Sequence, residues 1–190
     1  MNPKELSFDQ EGRDKLLSGI TKISKAVKST LGPLGKTVLI ESPNHTGGIT
    51  ITKDGVTVAK SIDLEDPAEN LAISMMKEAA DRTATSAGDG TTTAIVLAEA
   101  IVKEGMQLIQ RNPEINTTQL IRDIKVISDN AIKELDLSSK KVTGKTLQHV
   151  ASISANNDSI IGKMIANAYK ELGKDGILTV ENSKTDKTYY

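Results

Sequence analysis

Asp89 stands between two glycines in SAGDGTTTAIVLAEAI, Ser86 to Ile101, and three threonines follow it. From Ala94 onward the run is strongly helix-forming, with Ala94, Leu97, Ile101 and Leu108 at helical spacing. One threonine is enough to cap a helix. The spare hydroxyls, the glycines and the free N–H groups from Gly90 through Thr93, backed by the positive end of a helix dipole, suit an anion such as phosphate. Asp89 would repel that anion unless a cation lay between them. Magnesium fits, because it is commonly held by one or two carboxylates plus substrate phosphates. Spacing alone leaves a second possibility open, that Asp89 and Thr91 only cap the helix.

Two other glycine-containing turns carry polar groups that phosphate chemistry could use. TLGPLGKT, Thr30 to Thr37, nearly matches a P-loop, with Thr30 where the first glycine belongs. A P-loop needs a strand before it and a helix after it, and here the order is reversed, which disfavours a kinase or other P-loop enzyme. A Gly-Pro turn after a helix remains, tight enough for a backbone to approach a ligand. The third turn is Asp54-Gly55, read most simply as a hairpin tip. A carboxylate there could also orient a water for attack on a γ-phosphate.

The elements that must position these turns can be read from periodicity. Leu16, Ile20, Ile23, Val27 and Leu31 predict a helix from about Asp14 to Thr30. KTVLIE and GITITKDGVTVAK alternate about Asp54-Gly55 and predict a small β-hairpin. Asp66, Pro67 and Glu69 open a helix carrying Leu71, Met75, Met76 and Ala79. After the threonine helix, RNPEINTT is a turn, and Leu120, Ile124, Ile127, Ala131 and Leu135 mark a long helix. A polar linker, a short helix near Thr146 to Ser152, a helix from about Asp158 to Leu172 ended by Gly173, and a strand GILTVE complete the chain.

Composition sets the outer limits. The chain has 190 residues, 37% of them hydrophobic but only 2% aromatic, a palette for aliphatic helix packing. With 24 basic and 25 acidic side chains and net charge −1, neither nucleic acid nor an anionic membrane is called for. No apolar run reaches the roughly 20 residues of a membrane span, and no signal-peptide core opens the sequence, so a cytoplasmic protein is the default expectation. Cysteine is absent, and the isolated His45 and His149 form no ligand cluster, so any metal must be held by oxygen.

TLGPLGKTV, TITKDGVTVAK, ENLAISMMKEAA, AGDGTTTAIVLAEAI and SISANNDSIIGKMIANA, in this order and spacing, resemble a group I chaperonin of the GroEL type over essentially the whole chain. The resemblance implies a mainly α, multihelical equatorial ATP-binding domain (N-terminal half, residues 1–136) with a small β-hairpin, then part of an α/β intermediate hinge domain (137–190). It implies an ATPase subunit of a double heptameric ring that works with a co-chaperonin on unfolded client proteins. Carried over by position, Thr30, Leu31, Gly32, Pro33, Lys53 and Gly55 would meet the nucleotide. Asp89 would bind Mg2+, and Gly90, Thr91, Thr92 and Thr93 the phosphates. The Lys53 backbone, with Thr30 and Thr92, resembles a K+ site; Asp54 would lie near the attacking water, and Ile153 and Ser154 where the hinge meets the nucleotide. The likeness stops at Tyr190, short of where the family's apical domain begins, so autonomous folding activity is not expected. A non-enzymatic helical interaction module that retains these motifs is the alternative.

Overall fold

The computed structural model describes residues 6–32, 34–41, 48–173, 176–181 and 184. Among them are seven helices and one two-stranded sheet. The chain divides into two compact units, Met1–Thr117 and Thr118–Tyr190.

In the first unit, α1 (Asp9–Lys28) is followed by the antiparallel strands β1 (Val38–Glu41) and β2 (Ile49–Thr52), then α2 (Gly55–Lys60), α3 (Pro67–Ala87) and α4 (Thr91–Arg111). The order around Gly35 is helix then strand, as the sequence requires if TLGPLGKT is no P-loop. Helices α1, α3 and α4 pack on one another and enclose α2. Their shared core is aliphatic: Ile23, Val27, Val58, Ala59, Ile73, Met76, Ala80 and Ile95. At Gly19, α1 approaches α3 so closely that a methyl group would collide with the Glu69 carbonyl. Asp66 caps α3 as its sequence predicts, its Oδ1 accepting from the N–H groups of Ala68 at 2.9 Å and Glu69 at 3.0 Å, with Pro67 in the first turn.

Asp54-Gly55 is not a hairpin tip. The register Val38↔Thr52 through Glu41↔Ile49 joins β2 backwards to β1, and the chain after Asp54 turns into α2. Gly55, Val58 and Ala59 are its buried residues, a helical spacing that the apparent alternation of GVTVAK concealed. The buried faces of α3 and α4 also differ from the expected ones. Helix α3 buries Ala72, Ile73, Met76 and Ala80 and leaves Leu71 and Met75 exposed. Helix α4 buries Thr91, Ile95 and Glu99 and exposes Leu97, Ile101 and Leu108. Each helix carries two apolar stripes, and periodicity does not say which one a neighbour covers.

In the second unit, α5 (Thr117–Ser138) buries none of its residues. Helices α6 (Lys145–Ser154) and α7 (Ser159–Leu172) form a tight pair in which Gly162 lies against Ser152. Asn156 and Asn157, both at positive φ, make the turn between them, and Asp158 caps α7. Residues 176–181, the expected strand GILTVE, have no strand partner and are not a strand.

Candidate functional site

The starts of α2 and α4 meet each other and the last turn of α1, because these three helices are packed together. The contact is direct at Gly55. A methyl built there would overlap Thr92 Oγ1 and lie 3.3 Å from Thr92 Cβ and 3.4 Å from Val27 Cγ1. Glycine is what lets the first turns of α2 and α4 touch.

At the start of α4 the chain leaves α3 through Gly88 and enters through Gly90, with φ of 72° and 84° respectively. Both lie in the left-handed region, where a side chain is strained. No side chain caps α4. Thr91, Thr92 and Thr93 are its first three residues rather than its cap, so their N–H groups lack the partner a cap would supply. Asp89 does not cap the helix either: its Oδ1 accepts from the neighbouring Gly90 N–H at 2.6 Å, and its Oδ2 has no hydrogen-bond partner among the described residues. The capping alternative for Asp89 and Thr91 is therefore not realised. The exposed carboxylate keeps a free oxygen beside an uncapped helix start, a donor set that fits magnesium held jointly with phosphate oxygens. Among the described residues no group of three or more His, Cys, Asp or Glu could hold a metal.

Asp54 is the N-cap of α2. Its carboxylate accepts from the N–H groups of Val56 at 3.3 Å and Thr57 at 2.9 Å, and from Thr57 Oγ1 at 2.6 Å. Partial burial works against its charge. The Thr57 hydroxyl and N–H, the Val56 N–H and nearby Lys60 outweigh that effect and hold the carboxyl below the usual aspartate range. Asp54 is thus an ionised acceptor with a fixed orientation, suited to holding a water by hydrogen bond. It is a weak proton acceptor. Thr57 had escaped sequence reasoning, because reading Asp-Gly as a hairpin hid an aspartate followed by threonine at N3 of a helix.

After α1 the chain folds back on its own last turn. Thr30 Oγ1 donates to Val27 O at 2.8 Å, Gly35 N–H to Gly32 O at 2.9 Å, and Lys36 N–H to Ser29 O at 2.7 Å. Gly32 has φ of 75°, and Gly35 sits so close over the Thr30 carbonyl that no side chain fits. Leu31 and Lys53 are exposed. Pro33 and His45 lie outside the described residues. Ile153 and Ser154 are the exposed last residues of α6, in the second unit.

One buried charge was also missed. Glu99, 5% exposed, accepts from Ser24 Oγ at 2.6 Å and from Lys28 Nζ, tying α4 to α1. Burial raises its pKa, but Lys28, Ser24 and Lys103 together hold it below the usual glutamate range. The sequence did carry a signal: Thr91, Ile95 and Glu99 fall on one stripe, four residues apart.

Comparison with known proteins supports the chaperonin resemblance at the level of the family. Residues 23–189 match the TCP-1/cpn60 chaperonin family. The chaperonin gp146 from bacteriophage EL 2 (Pseudomonas aeruginosa), crystallised in the presence of ATP-BeFx, superposes with a TM-score of 0.72 at 30% identity over 85% of this chain and 28% of that one. A second crystal form gives 0.71 at 29% identity, over 86% of this chain and 28% of that one. A group III chaperonin in the open state shares the fold, with a TM-score of 0.70 at 24% identity over 87% of this chain and 33% of that one. The chain spans about a third or less of the length of these relatives. With the family matched over most of its length, and with the glycine turns, the uncapped threonine helix and the free Asp89 oxygen assembled in one unit, this chain belongs to the TCP-1/cpn60 chaperonin family.

Proposed function

We propose that the first unit binds Mg-ATP as part of a chaperonin subunit of the group I, GroEL type. The observation that carries this reading is the uncapped start of α4 beside Asp89 and against the start of α2. The N–H groups of Thr91, Thr92 and Thr93 donate to phosphate oxygens, Gly90, whose own N–H is held by Asp89 Oδ1, shapes the entry to the helix, and the Thr92 and Thr93 hydroxyls add donors. Asp89 holds Mg2+. Magnesium, when bound, neutralises phosphate charge and so makes the γ-phosphate attackable. Thr30, Leu31 and Gly32 meet the nucleotide, as do Lys53 and Gly55, and Pro33 is assigned to the same role by resemblance alone. The Lys53 backbone, Thr30 and Thr92 supply oxygens to K+. Asp54, oriented by Thr57 and Val56, positions the attacking water.

In this reading residues 1–136 form the N-terminal half of an equatorial domain and 137–190, with Ile153 and Ser154, the ascending part of an intermediate domain. The assembled protein is a double heptameric ring that folds client proteins with a co-chaperonin. A second reading, a helical interaction module, is favoured by one feature, the uncovered apolar face of α5.

Calorimetric titration with Mg-ADP tests the site. The wild-type chain binds, and Asp89→Ala removes the magnesium-dependent part of that affinity. Asp54→Asn leaves binding within about twofold but slows phosphate release by about 10- to 100-fold in an assembled subunit, as expected for a lost positioning group. Equal loss of binding in both variants contradicts this division of roles, and absence of binding by the wild-type chain favours the interaction module.

A further inference from the structure

Two carboxylates grip α1 in the same way. Glu69, on α3, accepts from Ser18 Oγ at 2.7 Å and from Lys22 Nζ at 2.5 Å. Glu99, on α4, accepts from Ser24 Oγ at 2.6 Å and from Lys28 Nζ. In each case serine and lysine are four residues apart, adjacent on one helix face. The two clamps differ in what hangs from the part of α1 they hold.

The Glu99 clamp takes the last turn of α1, and Ser24 within it is fully buried. From that turn the following chain is suspended. Thr30 N–H donates to Val27 O at 3.0 Å, Leu31 N–H to Lys28 O at 3.1 Å, and Lys36 N–H to Ser29 O at 2.7 Å. Val27, in the same turn, lies against Gly55 where Gly55 meets Thr92. Glu99 itself belongs to the helix whose first residues present the free N–H groups, about two turns further along. A single helix therefore carries the phosphate-facing amides at its start and, lower down, the side chain that holds the element bearing Thr30, Leu31 and Gly32.

We propose that Glu99 is a positioning residue: by holding Ser24 and Lys28 it fixes the spacing between Thr30–Gly32 and the N–H groups of Thr91–Thr93, and so sets affinity for the phosphates without touching them. This rests on the nucleotide reading above. Glutamine at 99 keeps the shape and can still accept from Ser24, but it leaves the Lys28 ammonium without its counter-charge. The clamp then holds α1 through one neutral hydrogen bond, and the turn that carries Thr30 and Leu31 is free to shift.

The test uses the whole chain in wild-type, Glu99→Gln, Lys28→Gln, double Lys28→Gln/Glu99→Gln and Glu69→Gln forms, each melted thermally and titrated with Mg-ADP. Expected is an affinity loss of about tenfold in Glu99→Gln, the scale on which misplaced binding groups are felt. Lys28→Gln should lose affinity alone yet add little to Glu99→Gln, as partners in one interaction do. Glu69→Gln should lower the melting temperature while leaving affinity within about twofold. Amide exchange supplies a readout independent of nucleotide: Leu31, Gly35 and Lys36 should exchange faster in Glu99→Gln, and Val56 and Thr57 should not. If Glu99→Gln does not fold, Ser24→Ala and Lys28→Gln carry the test, with the same ordering expected. Unchanged affinity in a folded clamp variant, unchanged exchange at those three amides, or an equal affinity loss in Glu69→Gln overturns the proposal. Failure of the wild-type chain to bind Mg-ADP overturns the reading of the site instead, and takes this role of Glu99 with it.

Discussion

At Gly55 even one methyl group has nowhere to go, because Thr92 and Val27 already fill the space. Gly55→Ala should therefore force the starts of α2 and α4 apart, lowering stability by about 1–3 kcal/mol, the usual cost of overpacking. Differential scanning calorimetry would read this as a lower melting temperature, and relief by the second-site change Thr92→Ala, which removes the overlapping hydroxyl, would identify the clash. Asp54→Ala should cost about 1 kcal/mol through its cap alone, separately from any effect on turnover, so catalytic comparisons belong with Asp54→Asn. Individual residues of the candidate site were legible in the sequence where the signal was local. Glycines flanking an acid before a helix need no distant partner to be noticed. The meeting of Gly55 with Thr92 left no trace, since nothing in a linear pattern marks a glycine as a contact point rather than a turn.

Among elements, the helices are tied by carboxylates whose pKa values all move the same way. Asp66 is held low first by the Glu69 N–H and Glu69 first by Lys22, whereas for Asp54 and Glu99 burial opposes the hydrogen bonds and ion pairs that prevail. A carboxyl whose folded pKa is depressed favours the folded state above its unfolded value, and that contribution disappears as pH falls through the folded value. Stability should therefore decline in acid, beginning near pH ~4 and continuing below it. Glu99→Gln should flatten that decline, measured as melting temperature against pH; an unchanged slope would show that the α1–α4 clamp is not among the groups responsible. The α6–α7 pair depends instead on close backbone approach. Gly162→Ala should separate the two helices at Ser152 and lower helicity in the second unit, as followed by circular dichroism. Helix positions and caps were readable because periodicity and capping chemistry are local. The buried stripes of α3 and α4 were not, because each helix is apolar on two sides and tertiary packing chooses between them.

For the whole molecule, apolar surface remains uncovered on both units. The outer face of the hairpin bears Leu39, Ile49 and Ile51, each about two-thirds exposed, and α5 exposes Ile127 and Leu135 to the same degree. Contiguous patches of this kind drive association. Sedimentation velocity of the chain should show concentration-dependent oligomers, reduced by the paired change Ile127→Asp/Leu135→Asp; a single sedimenting monomer at every concentration would count against it. The mainly helical fold was visible in composition and periodicity, because an aliphatic chain poor in aromatics packs best as helices. What covers each face was not, since amphipathicity records that a surface is buried and not by what. The clamp from Ser24 to Glu99 joins residues 75 positions apart in the chain. A ribosome adding roughly 5–20 residues per second takes about 4–15 seconds to make the second partner after the first. Through that interval α1 is complete but its buried serine has no acceptor, so the turn that follows it acquires its final place late in synthesis, after α4 has emerged.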